Sequence, residues 1–93
     1  MNSQKRIRTS LNGLTKVILF PDTYEELIEI IKILYNLPQS SLSIFYFTYF
    51  DDELDKVSIS NNYDLHQALI FVQKENILIL PIEIHLSSQE EQI

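Results

Sequence analysis

The order of extended and helical segments along the chain predicts an α+β domain, a mixed sheet of four to five strands with two helices on one side, in the order ββαββαβ. Three observations carry this. Asn12-Gly13 lies between two strand-like runs, the strongest short-range signal for a β-hairpin. Two stretches, Leu27 to Tyr35 and Leu65 to Val72, repeat apolar residues at helical spacing, and Ile82-Glu83-Ile84-His85-Leu86 alternates apolar and polar residues as a half-buried strand does.

The hairpin predicts strands at about 5–11 and 15–20. On the first, Ile7 alternates with Arg6 and Arg8, which puts both guanidiniums on the face opposite Ile7. A strict two-residue loop pairs Arg8 with Val17, whereas a one-residue bulge brings Lys16 onto the basic face. Pro21 ends the second strand, and Asp22 or Thr23 can cap the first helix, each with a glutamate three residues later, Glu25 or Glu26. Leu27, Ile28, Ile31, Leu34 and Tyr35 form its core stripe, and Glu25, Glu26, Glu29 and Lys32 its wet face.

Asn36-Leu37-Pro38 breaks that helix, and Gln39-Ser40-Ser41 leads into a third strand from Leu42 to Tyr49. Both faces of this strand carry aromatic residues, so one is either covered or left partly exposed. A short strand follows at 57–59, then a helix capped by Asn61 or Asn62 that buries Leu65, Ala68, Leu69 and Val72. Pro81 cannot donate to a ladder, so regular pairing of the last strand is expected to start after it, with 77–80 as an apolar lead-in or bulge. Residues 1–4 and 87–93 are expected to be tails flanking one domain at 5–86.

Composition narrows the function. Ninety-three residues, 45% of them hydrophobic, suit one folded domain. With no cysteine, disulfides, thiolate metal sites and a cysteine nucleophile are excluded, and a reducing compartment fits. No run approaches the roughly 20 apolar residues of a membrane span, and the polar, basic start lacks a signal-peptide core, so a cytoplasmic protein with no membrane partner is expected. A net charge of -6 argues against a nucleic-acid partner. The charge is also segregated: Lys5, Arg6, Arg8 and Lys16 all precede the first acid, Asp22.

The densest cluster is Asp51, Asp52, Glu53 and Asp55. Carboxylates so close repel by about 1 to 4 kcal/mol per pair at surface dielectrics, and a cation set against them relieves that repulsion. The order around them is aromatic residue, acids at alternate positions, a β-like segment, an Asn cap, then Asp64 and Leu65. This order resembles the acidic, OPCA-type motif of the Phox and Bem homology (PB-one) domain, a protein-interaction module with a ubiquitin-like β-grasp fold. Tyr49, Asp51, Glu53, Asp55, Val57, Ile59, Asp64, Leu65 and Ala68 fall in step with it. Leu54 replaces the turn glycine. A non-glycine residue at positive φ is strained, which leaves open a reshaped turn or splayed acids, with Glu53 the residue most affected. Arg8 lies five residues before Gly13, the spacing at which members of that family carry a lysine that docks into a partner's acidic motif.

Other chemistries find no support. Asp51-x-Glu53-x-Asp55 opens like a calcium loop, but the glycine and glutamate required later are Lys56 and Asn62. His66 and His85 lack a second ligand at metal spacing, and the single glycine rules out a phosphate-cradling loop. No cofactor, metal or catalytic residue is expected.

The resemblance implies a module that presents Asp51, Asp55, Asp64 and Glu53 to a partner's Lys/Arg cluster, the partner being another PB-one domain. Arg8, with Lys16 and Arg6, would form a second, basic surface. If both surfaces work, copies join front to back as scaffold hetero-dimers or head-to-tail oligomers in signalling. The alternative is a β-grasp domain that binds a small GTPase through its basic first hairpin.

Overall fold

The computed structural model describes residues 4–37 and 44–87. The expected tails, the Pro38 break, the 39–41 linker and the start of the third strand at 42–43 lie wholly or mostly outside them. Five strands, β1 (Arg6–Leu11), β2 (Leu14–Leu19), β3 (Ile44–Phe50), β4 (Lys56–Ile59) and β5 (Ile79–Ser87), form one mixed sheet in the order β2-β1-β5-β3-β4. Helices α1 (Tyr24–Leu34) and α2 (Asn62–Lys74) follow β2 and β4. β1 and β5 are parallel, and the other neighbours are antiparallel.

The first hairpin takes the strict two-residue turn. Asn12 and Gly13 both have positive φ, 53° and 80°, as a type I′ turn requires, and Leu11 pairs with Leu14. Arg8 therefore faces Val17, Arg6 faces Leu19 and Thr9 faces Lys16. Ile7 and Thr9 are fully buried, so their face of the sheet is the one the helices cover. Residues directly across an antiparallel pair share a face. Lys16 thus projects to the covered side, and the bulge that would have set it beside Arg8 does not form.

Thr23 caps α1, its side chain accepting from the Glu26 N–H at 3.0 Å, while Glu26 Oε1 accepts from the Asp22 N–H at 2.9 Å. Asn61 caps α2 in the same way, accepting from the Asp64 N–H at 2.8 Å. Both helices end with a left-handed asparagine. Asn36 has φ 56° and Asn76 φ 57°, and the N–H groups of Leu37 and Ile77 reach back to the carbonyls of Lys32 and Val72, the Schellman arrangement that satisfies the last orphan carbonyls.

The core joins Ile7, Leu80, Ile82, Ile84, Phe47, Tyr49 and Ile59 from the sheet to Leu27 and Ile31 of α1 and Leu65, Ala68 and Val72 of α2. Leu34, expected in the stripe of α1, is exposed instead. The helix is at its last residue there, and Tyr35 and Leu37 of the capping turn pack against the core in its place.

Pro81 also departs from the expected pairing. It lies inside β5, opposite Arg8, and 79–80 pair regularly with Arg6 and Ile7. Arg6 N–H donates to the Leu78 carbonyl, and backbone polar groups alternate sides along a strand, so Pro81 turns its nitrogen toward β3. The β3 ladder ends at Thr48–Glu83. Pro81 thus falls beyond the last β3–β5 pair, and its missing donor interrupts no ladder bond, which is why a central strand tolerates it here.

Candidate functional site

The turn from Phe50 to Lys56 is closed on itself. Asp51 N–H donates to the Asp55 carbonyl and Leu54 N–H to the Asp51 carbonyl, both at 3.0 Å. Asp51 Oδ1 accepts two further backbone bonds, from Glu53 and Asp55, each 2.9 Å. Asp51 is therefore the internal brace of the turn, with one carboxylate oxygen committed to it. Leu54 has φ 64°, so the turn keeps the left-handed conformation that a glycine would supply. The acids that remain, Asp52, Glu53 and Asp55, are all exposed, and none of their carboxylates has a hydrogen bond or ion pair among the described residues. Asp52 was legible as part of the cluster but not as a partner contact, and its exposure now sets it beside Glu53 and Asp55.

Asp64 has a local role as well. Its Oδ2 accepts from the Ser60 N–H at 3.1 Å and the Ser60 hydroxyl at 3.2 Å, closing the N-terminus of α2, where the helix dipole also favours a negative charge. The two braced acids act on the same phenol. Burial first, then the charges of Asp51 and Asp64, push Tyr49 above its ordinary value of 10.0. Burial and Asp64 do the same to Tyr24. β3, the acidic turn and the start of α2 thus share one end of the sheet, and Tyr24 N–H donates to Asn62 Oδ1 at 2.6 Å, tying α1 to it.

These phenols carry a pH signature. Their folded-state pKa values lie above the unfolded ones, so the folded chain holds the protons more tightly. Their stability contribution is complete below about pH 10 and is lost as pH rises through the folded values. Urea melts should show stability level to about pH 9 and falling above it, with a shallower fall for Tyr49→Phe. Equal slopes for the two chains would contradict this.

The basic residues divide between the two faces. Arg6 and Arg8 are exposed on the side that no helix covers, and Lys16, half-buried, is on the other. Arg6 and Arg8 alternate with Val17 and Leu19, which are 50% and 53% exposed. Toward the sheet centre the same face carries Glu83 and His85, which approach to 3.8 Å, and His85 stacks on Tyr46 with ring centroids 4.6 Å apart. At the far edge Lys56 Nζ lies 5.8 Å from the Phe50 ring centroid. Among the described residues no group of His, Cys, Asp and Glu could hold a metal ion, and no helix is long and apolar enough to cross a membrane.

No family model matches the chain, and no curated relative does either. Solved structures do match. The AtNBR1-PB1 domain superposes with a TM-score of 0.70 at 18% identity, over 92% of this chain and all of that one. The AtNBR1-PB1 filament (L-type), determined by cryo-EM, gives 0.71 at 20% identity with the same coverage. The five-stranded mixed sheet and its two helices therefore have the ubiquitin-like β-grasp fold of a PB1 (Phox and Bem homology) domain.

Proposed function

We propose that the chain is a cytoplasmic protein-interaction module of signalling scaffolds. Its acidic surface, Asp52, Glu53 and Asp55 with Asp51 and Asp64 behind them, pairs with a Lys/Arg cluster on a domain of the same fold. Arg8 and Arg6 form the reciprocal surface, so that copies join front to back. The observation that carries this reading is the state of the acidic turn: a braced backbone holds three exposed carboxylates that have no cation among the described residues. Such charges steer encounter and select partners. The filament of the similar AtNBR1-PB1 domain supports self-association as the form the pairing takes. The module is proposed to work without catalysis and without a cofactor.

The test is molar mass by sedimentation across concentration, at physiological and about 1 M salt, for the wild type and Asp55→Ala. Mass is expected to rise from the monomer's 11.0 kDa with concentration in the wild type. It should fall back in high salt, where the Debye length shortens from about 8 to about 3 Å, and in the variant. Assembly that is indifferent to both salt and Asp55→Ala overturns the acidic surface; a monomer under every condition overturns front-to-back joining.

A further inference from the structure

The uncovered face of the β1–β2 hairpin is more than a basic patch. Arg6 stands across from Leu19 and Arg8 across from Val17, so two guanidiniums and two half-exposed aliphatic side chains share one small surface. A shallow depression of about 460 Å³ opens there, lined by Gln4, Arg6, Val17, Ile18 and Leu19. The acidic turn has the complementary make-up. Leu54 is 79% exposed and is flanked in sequence by Glu53 and Asp55, with Asp52 close by. Four non-glycine residues in the described structure have positive φ. Three are asparagines, which tolerate it, and Leu54 is the fourth.

We infer that the uncovered β1–β2 face docks a second copy of this chain, and that Leu54 of that copy's acidic turn seats between Val17 and Leu19 while its acids meet Arg6 and Arg8. The inference rests on the front-to-back reading and adds an apolar contact at its centre. An aliphatic anchor ringed by charge pairs is the arrangement in which a few buried residues hold most of an interface. The two halves belong to different copies, because β5 separates the β1–β2 hairpin from β3 and β4, and the acidic turn is closed on itself. Glu83, on the same face of β5, borders the docking surface and repels the turn from the sheet centre, which confines it to the hairpin. The contact joins unlike surfaces, so it propagates as an open chain or a ring.

The experiment compares three variants by sedimentation. Leu54→Gly suits the left-handed backbone, so it should melt no lower than the wild type, yet weaken self-association by about 10- to 50-fold, as expected for an aliphatic side chain lost from an interface. Val17→Thr with Leu19→Thr, exposed strand positions that threonine suits, should weaken it comparably. Each of these chains retains one intact half of the contact. Mixed together they should form a 1:1 pair of wild-type affinity, with growth beyond the pair as weak as in either variant alone. Asp55→Ala separates the inference from the reading beneath it. Loss of assembly in Asp55→Ala with wild-type assembly in Leu54→Gly overturns the Leu54 contact and leaves the charge pairing in place. Wild-type assembly in both overturns both, and a mixture no tighter than its components overturns the assignment of Val17 and Leu19 as the seat.

Discussion

Replacing Phe47 by alanine is expected to cost about 3 to 5 kcal/mol of folding stability, the range for truncating a buried phenylalanine to alanine. Phe47 is fully buried and lies in a strand that is paired on both sides. It is paired with Ile59 on one side and Ile84 on the other, and its ring meets Tyr24 edge-on, with centroids 6.0 Å apart and planes at 71°. Truncation would open a cavity between the sheet and the first turn of α1, and the ladders on both sides of β3 limit collapse into it. A domain of 93 residues has a total stability of about 5 to 14 kcal/mol, so at least about a fifth of it would go. Urea unfolding of the two chains measures this directly. A loss below about 1 kcal/mol would mean that the site repacks freely and that Phe47 is not the keystone the geometry makes it.

Elements whose signals are local were legible in the sequence. Asn12-Gly13 encodes its own turn, Thr23 and Asn61 encode helix starts through side chains that reach only three residues, and the alternation of 82–86 encodes a covered and an uncovered face. What escaped depends on where a neighbouring element stops. Pro81 fits inside β5 because it falls beyond the last β3–β5 pair, which nothing near residue 81 announces. Lys16 was undetermined because one residue more or less in the turn moves it to the other face. In the candidate site, acidity was plain but roles were not. Asp51 and Asp64 are braced into the backbone while Asp52, Glu53 and Asp55 stand free, a division set by hydrogen bonds across two to four residues. The missing glycine flagged position 54, but only the backbone shows that leucine keeps the left-handed turn.

The brace at Asp51 predicts a separation that a uniform acidic patch would not produce. Asp51→Ala removes the acceptor for the Glu53 and Asp55 N–H groups. By analogy with a lost helix cap it should cost about 0.5 to 2 kcal/mol, and partner binding should go with it as the turn opens. Asp51→Asn keeps an Oδ1 acceptor while removing the charge, so it should melt close to the wild type and assemble only somewhat more weakly. Asp55→Ala removes a carboxylate that braces nothing, so the fold should be untouched while association is lost. Thermal melts and sedimentation, run in parallel on the three variants, read the two effects apart. If Asn at position 51 melts like the wild type yet abolishes association as fully as Ala at position 55 does, Asp51 is itself a partner contact. The division between bracing and binding acids would then fall.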